Sequence, residues 1–506
     1  MQTIRRFAIF CHRWMGVAFC LLFTWWFVSG FFMLYFGFPV VWDADRLHRA
    51  PPLDLSRVRL SPEQAYKAIG LDIPPDQVRL AMFDGRPAYE FGAVPDQTIV
   101  YADDGTIQDG YPAALNVRTA AAWAGQSPDK ARLEELPEPD QWTIGGEFAE
   151  ERPILKYSFP DGQDVYVSRN SGQVLQYTTT ASRIEGYLGP VAHWLYFRPL
   201  RKNVKLWSRI VIWTSGIGTI MALSGLLVGI LVYSPSKRYR LNGQPTGIPY
   251  SGTKRLHTIF GLFFGIVTCT WAFSGMLTME PFPAYSFARS QDPAEGRITR
   301  ALRGPEIELP AFSPKSPQEA LASIPPNLTV KQLEFVSFAG EPTFIAHGFV
   351  AGNAAPASWI VPVHGIPQEM FAPARLIDAV HKGLAKSGAA SIAEVRTVTA
   401  YEAYYSDHNG NLHGQRPLPV LFVRLAKHGE AGFYIDPRTA RIVGHRSAQG
   451  WFNRWLNQGL HSLNFPGLYD QRPLWDIVIL LLLAGGTTLC VTSAIIGWRM
   501  LQRKLM

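Results

Sequence analysis

Four of the twelve histidines fall into two matched pairs. Sliding the sequence against itself by 245 residues superposes His12 on His257, together with Gly16/Gly261, Phe19/Phe264, Trp26/Trp271, Ser29/Ser274 and Gly30/Gly275. A slide of 268 superposes His193 on His461, with Leu195/Leu463, Phe197/Phe465, Leu200/Leu468, Leu206/Leu474, Trp207/Trp475, Gly218/Gly486, Thr219/Thr487 and Gly229/Gly497. Duplicated segments drift freely where only apolarity matters, so imidazoles retained in register point to chemistry. A neutral imidazole is a metal ligand with one nitrogen to spare. Glycine four residues after His12 and His257 lies on the same helical face, which leaves a flat slot beside each ring. Two imidazoles approaching one axis from opposite sides suit bis-His axial ligation of a haem, His12 with His257 and, by the same symmetry, His193 with His461. Such ligation leaves no open coordination position, which favours electron transfer over oxygen or peroxide chemistry.

The elements that position these side chains are membrane spans. Charged residues make up only 17% of the 506, against about 25% in ordinary soluble domains. The deficit is concentrated in four charge-free runs, 14–42, 210–236, 256–279 and 477–498. Each is long enough to cross a hydrocarbon core, which takes about 20 apolar residues as a helix whose backbone groups satisfy one another. The first run is too long for a signal peptide and no small-residue cleavage site follows it, so it is expected to remain as an anchor. Arg5, Arg6, Arg13, Lys237, Arg238, Arg240, Lys254, Arg255, Arg499, Arg503 and Lys504 flank the runs without any Asp or Glu among them. By the positive-inside rule both termini and the 235–255 loop are cytoplasmic, and the long connections lie outside a bacterial inner membrane. The net charge of +8 is therefore a topology signal and gives no support to nucleic-acid binding.

The long connections read as α+β domains. Residues 164–174 and 432–443 alternate apolar and polar around an S-G or D-P turn, a hairpin pattern, and 99–107 is another. Ser61-Pro62-Glu63-Gln64-Ala65 and Ser316-Pro317-Gln318-Glu319-Ala320 are helix starts, with serine at the cap and proline in the first turn. The helix starts and hairpins together resemble PepSY domains. The His-x-x-x-Gly helix starts, paired with Ser-Gly further along, resemble the PepSY-associated transmembrane family of iron-regulated membrane proteins. The chain departs from the hairpin pattern at Ser168, where Asp is usual, and at Ala440, where Gly is common.

That resemblance implies an inner-membrane siderophore-iron reductase carrying b-type haem, two per chain, between transmembrane helices. The implied acceptor is ferric siderophore iron or another periplasmic species, and the implied activity is that of a transmembrane oxidoreductase. With no G-x-G-x-x-G, P-loop, G-x-S-x-G or H-E-x-x-H, and cytoplasmic loops too short for a flavin or nicotinamide domain, electrons are expected from a cytoplasmic reductase or from quinol. C-x-x-C-H is absent, which excludes covalent c-type haem. Cys11, Cys20, Cys269 and Cys490 all fall in or beside the spans, so the exported domains contain no disulfide.

The expected fold is thus an α-helical membrane protein with four transmembrane helices in two parallel repeats, each carrying an α+β PepSY-like periplasmic domain. Its expected boundaries are spans at 7–42, 208–234, 256–280 and 475–499, a cytoplasmic loop at 235–255, outer domains at 43–183 and 281–450, and interfacial histidine-bearing segments at 184–207 and 451–474. Arg198 and Arg201, near His193, are candidates for haem propionates, because guanidinium binds carboxylate bidentately. Ser29-Gly30 and Ser274-Gly275 could line a cofactor, but small residues at helix contacts are the commoner explanation and packing is the favoured reading. The run from Asp407 to His413 in the histidine-rich second outer domain reads as an exposed Asn-Gly turn rather than a metal loop. Two other functions stay open: a membrane-anchored PepSY module that binds an envelope partner without catalysis, and a small transporter relaying protons through histidine.

Overall fold

The computed structural model describes residues 2–93, 97–282, 293–304, 306–385, 391–405, 416–426, 431–446 and 453–505. These form two compact units, one built from 1–39, 180–288 and 449–506, the other from 40–179 and 289–448.

The first unit is a bundle. Among the described residues four helices are long and apolar enough to cross a membrane: span 1 (Gln2–Met33), span 2 (Val204–Val232), span 3 (Gly252–Leu277) and span 4 (Leu474–Leu505). Each packs on its neighbours in sequence and span 4 closes on span 1. Hydroxyls inside the spans return to their own helix, as where Thr24 Oγ1 donates to Cys20 O at 2.7 Å and Thr214 Oγ1 to Ile210 O at 2.6 Å. That satisfies a polar group in a setting with no water. Glycines receive aromatic rings from the facing helix. A Cβ on Gly218 would stand 2.3 Å from Phe23 Cζ, and one on Gly486 2.0 Å from Phe27 Cε1. This accounts for the Gly218/Gly486 match in the duplication.

Span 1 ends at Met33 rather than at 42, where its charge-free run ends. Gly37 and Pro39 follow, and proline both lacks an N–H and disfavours helix in the residue before it. Span 2 begins at Val204, earlier than expected, because Asn203 Oδ1 caps it by accepting Leu206 N–H at 3.0 Å.

Among the described residues the second unit contains three antiparallel sheets. Strands β1 (Val78–Phe83), β2 (Arg86–Phe91) and β3 (Thr98–Tyr101) come from the first long connection. So do β4 (Arg132–Leu136), β5 (Ile154–Ser158), β6 (Asp164–Ser168) and β7 (Val174–Thr178), which form a four-stranded sheet in that order. A short hairpin, β8 (Tyr239–Leu241) with β9 (Gln244–Thr246), belongs to the loop between spans 2 and 3. The second connection supplies β10 (Leu328–Phe338), β11 (Glu341–Val350) and β12 (Pro356–Pro362). It also supplies a second four-stranded sheet, β13 (Ile392–Val398), β14 (Val420–Leu425), β15 (Gly432–Asp436) and β16 (Arg441–Arg446). All three expected hairpins form, as β6–β7, as β15–β16 and as the antiparallel bridge of Val100 in β3 with Ile107. Ser61 and Ser316 cap helices Pro62–Lys67 and Pro317–Ala322 with full capping boxes.

One feature departs from two separate outer domains. Strand β1 pairs with β10, with Val78 opposite Phe335, Arg79 opposite Glu334 and Leu80 opposite Leu333. A single six-stranded sheet, β12-β11-β10-β1-β2-β3, therefore draws half its strands from each connection. Apart, the halves would leave β1 and β10 as unpaired edges, and joining them removes those two edges. The shared core beneath includes Leu80, Tyr89, Phe91, Phe335 and Phe344.

Candidate functional site

The four duplicated histidines meet in the bundle as the two expected pairs. His12 of span 1 and His257 of span 3 have ring centres 6.2 Å apart with planes inclined by 32°. His193 and His461, on the short segments that precede spans 2 and 4, have centres 6.0 Å apart and planes inclined by 67°. All four rings are half-buried.

In each ring Nδ1 is engaged by a neighbouring helix. His12 Nδ1 lies 3.1 Å from Met221 O of span 2, and His257 Nδ1 lies 3.3 Å from Leu489 O and 3.2 Å from Thr492 Oγ1 of span 4. His193 Nδ1 lies 3.2 Å from Trp26 O and 3.1 Å from Ser29 Oγ of span 1. His461 Nδ1 lies 2.9 Å from Ser274 Oγ of span 3, beside the carbonyl of Trp271. A carbonyl only accepts, so Nδ1 carries the hydrogen and donates it, and Nε2 keeps its lone pair. That tautomer, fixed by a second-sphere acceptor, is the form in which imidazole binds a metal. The acceptors follow the duplication too, since Met221 and Leu489 are separated by 268 residues and Trp26 and Trp271 by 245.

The segment carrying each outer histidine is held in a defined turn. Leu195 and Leu463, both two residues after a histidine, adopt left-handed φ of 53° and 51°. A branched residue holds that conformation only when its surroundings impose it. The indoles of the duplicated tryptophans contribute, with Trp207 Nε1 donating to Trp194 O at 2.9 Å and Trp475 Nε1 to Leu463 O at 3.2 Å.

The remaining expected residues divide. A Cβ on Gly16 would meet Ser493 Oγ at 3.6 Å and one on Gly261 would meet Leu489 Cδ1 at 3.7 Å, so both sit in open contact with span 4. The glycine pressed against an imidazole is Gly225 of span 2, whose Cβ would stand 2.4 Å from His12 Cε1. Arg201 stacks over Tyr196 and Trp207, at 4.8 and 4.6 Å from their ring centres, and its Nη2 donates to Tyr196 Oη at 3.1 Å. Its Nε and Nη1 are buried with no acceptor among the described residues. Arg198 is exposed. The indole N–H groups of Trp26 and Trp271 are likewise buried without an acceptor. The loop containing His408 and His413 lies outside the described residues.

Sequence reasoning favoured packing for the two serines, which also bond the histidines, and it missed Gly225. The serines carried a signal, being duplicated in register with the histidines. Gly225 carried none, because its counterpart at the 268 offset is Ser493.

Two nitrogens bonded to one metal from opposite sides at about 2 Å each place imidazole centres roughly 6 Å apart, close to both spacings. Among the described residues no three His, Cys, Asp or Glu side chains gather as a metal site. Each pair therefore offers two nitrogens, the complement that a metal already held in a macrocycle requires. No curated protein matches the chain. The model of the PepSY-associated TM region matches residues 10–423, which covers most of span 1, spans 2 and 3, the shared sheet and three of the four histidines. The chain belongs to the PepSY-associated transmembrane family.

Proposed function

We propose that the protein is a di-haem b electron-transfer protein of a bacterial inner membrane, with His12 and His257 holding one haem through Nε2 and His193 and His461 the other. The observation that carries this reading is the common state of the four rings. Each has Nδ1 committed to a neighbouring helix and faces a partner at a spacing suited to one metal between them. Haem b bound there would supply a one-electron Fe(III)/Fe(II) couple.

The chain's own contribution is ligation, spacing and burial. His12 and Ser29 are seventeen residues apart on span 1, about 25 Å of helix, so the pairs lie at different depths and divide the crossing into two steps. The buried N–H groups of Arg201 suit a haem propionate, since an unpaired guanidinium in apolar surroundings is costly. Phe23, Phe27 and Met221 fill the bundle core and keep water from it.

In this reading the two repeats run parallel about an axis along the membrane normal. Both termini face the cytoplasm and the sheet-bearing unit faces the periplasm. A quinol or a cytoplasmic reductase gives one electron at a time on the inner side, and each electron converts one ferric ion, held by a siderophore, to ferrous iron on the outer side. Ferrous iron is held less tightly by hard oxygen ligands and leaves.

The test is a visible spectrum of the purified protein before and after dithionite, with haem counted per chain. Two b-type haems are expected, falling towards one in His257→Ala and in His461→Ala. Protein made with ample haem supply and carrying none overturns the proposal and leaves the sheet-bearing unit as a binding module.

A further inference from the structure

The two histidine pairs differ in what holds them. In the His193/His461 pair each ring is met by a serine hydroxyl, Ser29 Oγ at 3.1 Å and Ser274 Oγ at 2.9 Å. These serines occupy matched positions 245 residues apart and are almost wholly buried, at 2% and 0% exposure. Each hydroxyl hydrogen is already committed within its own helix, Ser29 Oγ to Trp26 O at 3.1 Å and Ser274 Oγ to Thr270 O at 2.7 Å. The hydroxyl oxygen is therefore left as an acceptor for the imidazole N–H. The glycine after Ser274 leaves clearance for the ring, since a Cβ on Gly275 would lie 3.7 Å from His461 Cε1. In the His12/His257 pair one ring alone has such a hydroxyl among the described residues: His257 Nδ1 lies 3.2 Å from Thr492 Oγ1 as well as near Leu489 O, whereas His12 has the main-chain carbonyl of Met221.

We propose that Ser29 and Ser274 are positioning residues for the His193/His461 pair, which fix the orientation of both rings and set the reduction potential of that site apart from the His12/His257 site. This rests on the haem reading above. An acceptor on Nδ1–H draws the imidazole towards imidazolate and makes Nε2 a stronger donor, which favours Fe(III). With alanine at both positions, His193 keeps its longer bond to Trp26 O, 3.2 Å, and the ring loses its side-chain acceptor. Fe(II) then gains at that site and its potential rises.

The experiment is a redox titration, followed by haem absorbance, of the full-length protein and its Ser29→Ala/Ser274→Ala variant, with haem per chain measured on the same samples. Single-haem His461→Ala protein identifies which transition belongs to which pair. Expected is retention of two haems and a rise in the His193/His461 transition by about tenfold in Fe(III)/Fe(II) preference, about 59 mV for one electron, with the other transition unmoved. Ser274→Ala alone moves the same transition in the same direction by less, and it serves if the double variant fails to fold. Two haems with neither transition moved, or both moved together, overturns the assignment of the serines. A wild-type protein without haem overturns the reading beneath it instead.

Discussion

The carbonyls of Met221 and Leu489 take the same bond, from Nδ1 of His12 at 3.1 Å and of His257 at 3.3 Å. The carbonyls are 268 residues apart and the histidines 245, the two offsets at which the sequence matches itself, so each bond runs from a matched histidine on span 1 or 3 to a matched carbonyl on span 2 or 4. The sequence match thus extends from the imidazole to the helix that orients it. The surroundings of the two rings are less alike, because Gly225 stands where the other half has Ser493.

Gly225→Ala is the substitution that exploits this difference. The new methyl would stand 2.4 Å from His12 Cε1, and relieving such overpacking costs about 2 kcal/mol or turns the ring. Haem per chain should fall from two towards one, with the His193/His461 transition unaltered. Gly16→Ala, whose Cβ meets only Ser493 Oγ at 3.6 Å, should retain both.

Trp207 reaches the site through the backbone. Its indole donates to Trp194 O, one residue after His193 and one before the left-handed Leu195. Trp207→Phe keeps the ring and deletes the donor, a loss of about 1 kcal/mol for one hydrogen bond. Haem at the His193/His461 pair should then pass about fivefold more readily to an excess of a haem-scavenging apoprotein, while haem at the other pair leaves at the wild-type rate.

The elements legible in the sequence were those written in local patterns. The spans follow from absence of charge, the hairpins from alternation around a turn, the helix starts from Ser-Pro. The histidine pairs were legible because the duplication holds both members in register. The pairing of β1 with β10 was not, since it joins Val78 to Phe335 and no short-range pattern specifies an antiparallel partner so distant. Nor were the acceptors of Nδ1 legible, because a main-chain carbonyl has no residue type. Ser29 and Ser274 were visible but ambiguous, since a small residue at a helix contact reads as packing until an imidazole is seen against it.

The hairpin departure at Ala440 has a consequence for stability. Ala440 sits at φ 52°, and Gly172, four residues after Ser168 as Ala440 is after Asp436, sits at φ 66°. The left-handed conformation costs a residue with a Cβ about 1 kcal/mol or more. Ala440→Gly should therefore raise the melting temperature of the sheet-bearing unit, followed by near-UV circular dichroism of the whole protein. Gly172→Ala should lower it further than that gain, because its Cβ would also stand 2.6 Å from Tyr111 Cδ1.

Glu334 gives the same unit an acid limit. Its carboxylate is buried on β10 among Arg303, Arg441 at 2.7 Å and His347 at 3.2 Å. Burial pushes its pKa up, but the neighbouring Arg303, the hydrogen bond from His347 and Arg441 outweigh it and hold the group well below the ordinary 4.5. A depressed folded pKa means that the unfolded chain takes up the proton first as pH falls. The stabilisation is therefore complete above about pH 4.5 and is lost progressively below it. Glu334→Gln should flatten the dependence of melting temperature on pH between 3 and 5. It should also lower the melting temperature at pH 7, because the largely buried guanidinium of Arg303 loses its counter-charge along with the exposed one of Arg441, a loss of about 3 kcal/mol. An unchanged slope in that variant would assign the acid sensitivity to other carboxylates.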